Sequence, residues 1–162
     1  MMRLAVSLFL VALASPALAQ EYRFATDASA PMDIRADQLI VYYDASYAEY
    51  RGSVHAVQGP LEMRAQKLRI DFADDNSTVS HWSAEEDIRL TSEGKTATGQ
   101  WLRYDAAEEE MRMGDEVRLS DADLQLTGQL FVLNMATSRA RLEAQGEDGR
   151  ARARFRVPPE SR

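Results

Sequence analysis

Leu61-Glu62-Met63-Arg64-Ala65-Gln66-Lys67-Leu68-Arg69-Ile70-Asp71-Phe72 alternates apolar and polar residues twice, and the second alternation is out of step with the first. Side chains along a strand point to opposite faces in turn. Leu61, Met63 and Ala65 therefore share a face, and Leu68, Ile70 and Phe72 join them only if an extra residue, a bend or a bulge lies between. The small residue Ala65 marks that corner, where the chain turns and backbones approach closely. Leu124, Leu126 and Gly128 give way to Phe131 and Leu133 in the same manner.

The corner belongs to a phrase that recurs. Ala36-Asp37-Gln38-Leu39-Ile40-Val41, Ala65-Gln66-Lys67-Leu68-Arg69-Ile70, Gly99-Gln100-Trp101-Leu102-Arg103-Tyr104 and Gly128-Gln129-Leu130-Phe131-Val132-Leu133 begin at 36, 65, 99 and 128, spaced 29, 34 and 29 residues apart. A repeat of this length marks stacked units that cannot bury their apolar faces alone. Val54-His55-Ala56, Ile88-Arg89-Leu90 and Val117-Arg118-Leu119 place one polar residue between two apolar ones, so His55, Arg89 and Arg118 face away from the apolar side. Asp44-Ala45-Ser46, Asp74-Asp75-Asn76-Ser77, Asp105-Ala106-Ala107 and Asn134-Met135-Ala136-Thr137-Ser138 supply turns between strands. Each repeat reads as strand, turn, strand, strand. The expected fold class is all-β: a sheet folded along a line of small-residue corners, as a sandwich or roll with one long interior. Four ordinary hairpins would give the same spacing.

Residues 1–19 read as a leader, with Arg3, a largely apolar run from Leu4 to Ala14 and the small-x-small Ala17-Leu18-Ala19. That run is short of the roughly 20 residues a membrane span takes. Cleavage would begin the mature chain at Gln20, with 20–30 a flexible segment, 31–158 one domain and 159–162 a tail. The chain contains no cysteine, which excludes a disulfide framework and a lipidated cysteine. The net charge of −7 is unevenly placed, because residues 139–162 carry seven arginines against four acids. An acidic body argues against nucleic acid as a partner.

Several stretches together resemble the LptA/OstA-like periplasmic proteins that carry lipopolysaccharide from inner to outer membrane. Pro31-Met32-Asp33-Ile34-Arg35-Ala36-Asp37-Gln38-Leu39 is similar to the family's opening strand and Ala-Asp-x-Leu phrase. Tyr50-Arg51-Gly52-Ser53-Val54 and Val57-Gln58-Gly59 resemble its Gly-Asn-Val and Thr-Gln-Gly signatures, and Lys95-Thr96-Ala97-Thr98-Gly99 its Ala-x-Gly corner. The chain departs from the pattern at Glu86, where the family often has Gly, and at Gly114, three rather than two residues before Val117. The resemblance implies a bent β-jellyroll in the periplasm, whose apolar interior groove holds lipid A acyl chains. It also implies head-to-tail stacking and docking onto inner- and outer-membrane components of the same fold. No cofactor and no catalytic residue is implied.

Apolar burial is non-directional, so a groove lined by such side chains would hold acyl chains while letting them slide. The candidates for its lining are Met32, Ile34, Leu39, Val41, Met63, Leu68, Ile70, Phe72, Leu102, Tyr104, Leu126, Phe131 and Leu133; each could equally be core. Arg150, Arg152, Arg154 and Arg156 alternate with Ala151, Ala153, Phe155 and Val157, which places four guanidinium groups on one strand face until Pro158-Pro159 ends it. That face either meets phosphate or an acidic partner, or is solvated. The two histidines fall in different repeats, so no metal site is expected. Glu85-Glu86-Asp87 and Glu108-Glu109-Glu110 read as solvated charge beside turns rather than paired catalytic acids. Trp82 is expected to point inward and Trp101 outward.

Overall fold

The computed structural model describes residues 24, 27, 29–74, 78–137, 139–144, 150 and 152–155. The leader at 1–19, most of 20–30, the centre of the 74–77 turn, the 146–149 turn, Arg156 and Pro158-Pro159 lie outside these residues. Among the described residues ten strands form one antiparallel sheet: β1 (Met32–Arg35), β2 (Gln38–Tyr42), β3 (Tyr47–Gln58), β4 (Leu61–Phe72), β5 (Val79–Ser92), β6 (Lys95–Asp105), β7 (Glu110–Ser120), β8 (Leu124–Asn134), β9 (Arg139–Glu143) and β10 (Arg152–Phe155). The spatial order is β1-β3-β4-β5-β6-β7-β8-β10, with β2 also on β3 and β9 also on β8.

Each interior strand runs through a corner. The pairing shifts register at Arg51/Val54, Arg64/Lys67, Glu85/Ile88, Thr98/Trp101 and Gly114/Val117. On one side of this line β1 pairs with residues 55–58 of β3 and β10 with 124–127 of β8. On the other side β2 pairs with 47–51 and β9 with 130–134. The fold is the bent β-jellyroll that the resemblance implies, folded along a line as the change of step requires: two half-sheets, here called the β1 half and the β2 half, joined along a crease and enclosing one core.

The crease has a recurring construction. On β3, β5 and β7 two successive residues, Gly52-Ser53, Glu86-Asp87 and Asp115-Glu116, have positive φ, between 47° and 76°. Opposite each pair the neighbouring strands spend a single residue, Asp37 or Gln66 for the first, Gln66 or Gln100 for the second, and Gln100 or Gln129 for the third. This two-against-one count is a bulge, which bends the strand without ending its pairing. Asp37 N–H donates to the Gly52 carbonyl at 2.9 Å. The polar second residue of each phrase is thus the counterpart of the bend, and the small first residue sits beside it. A Cβ on Gly99 would meet Met113 Cγ at 2.7 Å. Glu86, at φ 65°, occupies the left-handed conformation that glycine adopts most readily.

The expected strand-turn-strand-strand unit is instead one hairpin of two long strands per repeat, since a bulge, unlike a turn, keeps the ladder bonded on both sides. The expected turns are present where described. Asp105 Oδ1 accepts from the N–H groups of Ala107 (2.9 Å) and Glu108 (3.1 Å), and Asn134 Oδ1 from that of Thr137 (2.8 Å). Val54, Ala56, Ile88, Leu90, Val117 and Leu119 are all buried in the core, as their alternation requires.

Candidate functional site

The interior between the half-sheets is not filled along its whole length. A cavity of about 260 Å³ is lined from the β1 half by Met32, Ala56, Leu61, Met63 and Leu90, and from the β2 half by Leu68, Ile70, Val79, Trp82, Tyr104 and Met111, with Met135 beyond β8. Trp82 and Tyr104 pack at 5.8 Å between ring centroids, tilted by 32°. Burial raises the Tyr104 phenol above its ordinary range, and the Glu109 and Asp105 carboxylates push it the same way. A second cavity, of about 810 Å³, opens near the other end of the sheet, with Leu119, Leu126, Phe131 and Leu142 below and Arg139, Arg141 and Glu110 at its rim.

Edge strands carry this apolar face beyond the core. Residues directly opposite in an antiparallel pair share a face. Leu39 faces Tyr50 and Val41 faces buried Ala48, so both belong to the interior side. Nothing among the described residues covers them: Leu39 is 54% exposed, Val41 43% and Met32 46%. The trough therefore has an open lip of large apolar side chains where, among the described residues, β1 and β2 leave their outer edges unpaired.

The residues singled out in the sequence divide by position. Met32, Met63, Leu68, Ile70 and Tyr104 line the first cavity, and Leu126 and Phe131 the second. Ile34 and Phe72 are half-buried against the core without lining either cavity, while Leu39 and Val41 stand on the lip. Leu102 and Leu133 are buried in the wall behind the lining. The sequence reading places Leu61 on the apolar face but not among the lining candidates, and Met111, Met135 and Leu142 escape it, although Met111 alternates in step with buried Met113. Trp82 stands in the groove wall. Trp101 is on the outer face as expected but lies flat over Gly114, its cross-strand neighbour, where a Cβ would collide with the indole. This contact leaves no room for a side chain at position 114.

The charged groups lie outside. Arg35–Asp33, Arg64–Glu62, Arg69–Asp71, Arg112–Glu110 and Arg141–Glu143 pair within their own strands at 2.5–3.2 Å, as do Arg51 and Glu49. His55 Nε2 stands 2.9 Å from Glu62 and His81 Nε2 3.2 Å from Asp105, in separate places. Among the described residues no three His, Asp or Glu side chains gather as metal ligands. Glu85 reaches Lys67 at 3.5 Å, and Glu86 and Asp87 are exposed at the crease. Arg152 and Arg154 are exposed on β10 opposite Thr127 and Gln125, on the outer face. Arg150 is exposed before that strand.

The arrangement can hold a long apolar ligand in a trough whose lining is predominantly apolar, Gln58 and the Tyr104 phenol being polar groups within it. Comparison with known proteins bears on the fold and the family. LptH, the LptA homologous periplasmic component of the conserved lipopolysaccharide transport device from Pseudomonas aeruginosa, has a solved structure that superposes with a TM-score of 0.70 at 13% identity, covering 82% of this chain and 100% of that one. No curated protein matches the sequence. The family model described as LptA/(LptD N-terminal domain) LPS transport protein matches residues 33–139, and the chain belongs to that family.

Proposed function

We propose that this protein carries lipopolysaccharide through the periplasm from inner to outer membrane, with the lipid A acyl chains held between the two half-sheets. The observation that carries this reading is the uncovered lip: an apolar interior face that continues through Met32, Leu39 and Val41 to an unpaired edge. Each methylene moved from water into such a trough gains about 0.8 kcal/mol. Contact of this kind fixes no pose, so a chain can be retained and still advance. The β1/β2 edge and the β9/β10 edge offer free strands at opposite ends of the sheet, suited to head-to-tail pairing with further copies or with membrane components of the same fold. Residues 1–19 serve as the export leader.

A photo-crosslinking side chain at Met32 or Ile34 in living cells tests the reading. Lipopolysaccharide adducts are expected at both positions. Partner-protein adducts with no lipopolysaccharide at any lining position would refute it and mark an adaptor instead.

A further inference from the structure

The outer face of the β1 half differs in charge from the rest of the chain. Five adjacent segments, 88–92 of β5, 95–98 of β6, 117–120 of β7, 124–128 of β8 and β10 itself, contain no acidic residue in a protein with 26. Cross-strand pairing sets their outward side chains in a row: Arg89 opposite Thr98, Thr98 opposite Arg118, Arg118 opposite Thr127, and Thr127 opposite Arg152. With strands about 4.8 Å apart, successive arginines stand roughly 10 Å from one another with a threonine hydroxyl between. The neighbouring outward row is hydroxyl and amide residues ending in Arg154.

Arg35, Arg51, Arg64, Arg69, Arg112 and Arg141 each have a carboxylate partner, whereas among the described residues Arg89 and Arg118 have none. Arg89 moreover lies directly opposite Arg64, a like-charge pairing that weakens a sheet. Arg64 has Glu62 at 2.9 Å, so the uncompensated charge of the pair is that of Arg89. Glu86, Asp87, Asp115 and Glu116 border the patch along the crease, so the positive face ends sharply there.

We infer that this face docks onto the phosphate groups of an anionic lipid bilayer. Guanidinium groups grip phosphate oxygens in pairs, and the interleaved hydroxyls add donors. The row is an extended face served by several separated cations, which suits a surface of many phosphates better than one small anion. These segments point no large apolar side chain outward, so the contact is electrostatic and without insertion. Because Leu90, Leu119 and Leu126 of the same strands line the cavities, docking sets the back wall of the groove against the membrane.

Flotation of the full chain with phosphatidylglycerol-containing vesicles, and with phosphatidylcholine vesicles alone, provides the test. Binding to the anionic vesicles at low salt is expected, and it should fade as added salt shortens the screening length. At about fivefold in affinity per arginine, the double substitution Arg89→Gln with Arg118→Gln should weaken it about 25-fold. Arg112→Gln, on the β2 half, should leave it unchanged. An apolar leader would bind both vesicle types and be blind to the double substitution. Equal binding to both vesicle types, indifference to the double substitution, or capture of soluble polyphosphate in place of vesicles would each overturn the inference.

Discussion

Leu102→Ala and Met32→Ala remove comparable apolar groups from the two extremes of the groove wall. Leu102 has no exposed surface, and its cross-strand neighbours Ala84 and Met113 are equally sealed. Walls so confined on both sides relax little into a cavity, so the substitution should cost about 3 kcal/mol, within the range of about 2–5 for buried leucines. At roughly 4 °C per kcal/mol for a domain of this size, the midpoint of thermal unfolding should fall by about 12 °C. Met32 is 46% exposed on an edge strand, so its truncation should cost about 1 kcal/mol or less. Lipid binding should show the reverse order. Losing the Met32 thioether removes about two methylene equivalents of contact and weakens lipopolysaccharide binding about tenfold. Leu102→Ala, wherever it remains folded, should leave affinity within about twofold. Urea unfolding gives the stabilities, and displacement of a fluorescent lipid probe by lipopolysaccharide gives the affinities. The division between wall and lining is refuted if the two variants are equally destabilised, or if folded Leu102→Ala loses more affinity than Met32→Ala.

The crease offers a second test. Gly52 and Gly94 share positive φ, +76° and +80°, but a Cβ on Gly52 would collide with Asp37 Oδ2 whereas Gly94 has nothing within 4 Å. Gly94→Ala should cost about 1–2 kcal/mol for its left-handed backbone alone, and Gly52→Ala about 1–3 kcal/mol more, a surplus that Asp37→Ala should relieve in a urea-denaturation double-mutant cycle. Acid stability offers another. The Arg64 guanidinium, with His55 beside it, holds the Glu62 carboxyl below its ordinary value of 4.5, so Glu62 stabilises the fold above that pH and the contribution is lost as pH falls through the lower folded value. The stability gap between wild type and Glu62→Gln should accordingly close below about pH 4.5 when urea midpoints are followed from pH 7 to 3; a gap that widens would contradict this.

Much of this architecture is legible locally. The change of step between Ala65 and Leu68 requires a bend, because alternation along a strand is fixed by backbone geometry, and the four phrases place the bends at matching points. What the phrases conceal is the other half of each bend. Gly52-Ser53, Glu86-Asp87 and Asp115-Glu116 lie far from the phrases in sequence, and only pairing sets them against Asp37, Gln66, Gln100 and Gln129. Glu86 and Asp115 give no glycine signal of positive φ, since the surrounding ladder imposes it on ordinary residues.

Sequence alone thus determined the strands, their inward and outward sides and the corners of the phrase strands, which follow from periodicity, and the family resemblance, which rests on its motifs at 31–39, 50–54, 57–59 and 95–99. Tertiary structure decided which inward residues are wall and which are lining. Leu102 and Met32 obey the same alternation, but burial depends on what neighbouring strands and the opposite half-sheet cover, and an edge strand has a neighbour on one side only. It also decided which outward charges meet. Arg89, Thr98, Arg118 and Thr127 are scattered across four strands and become a row only because register, set by the hairpins and their bulges, brings them level.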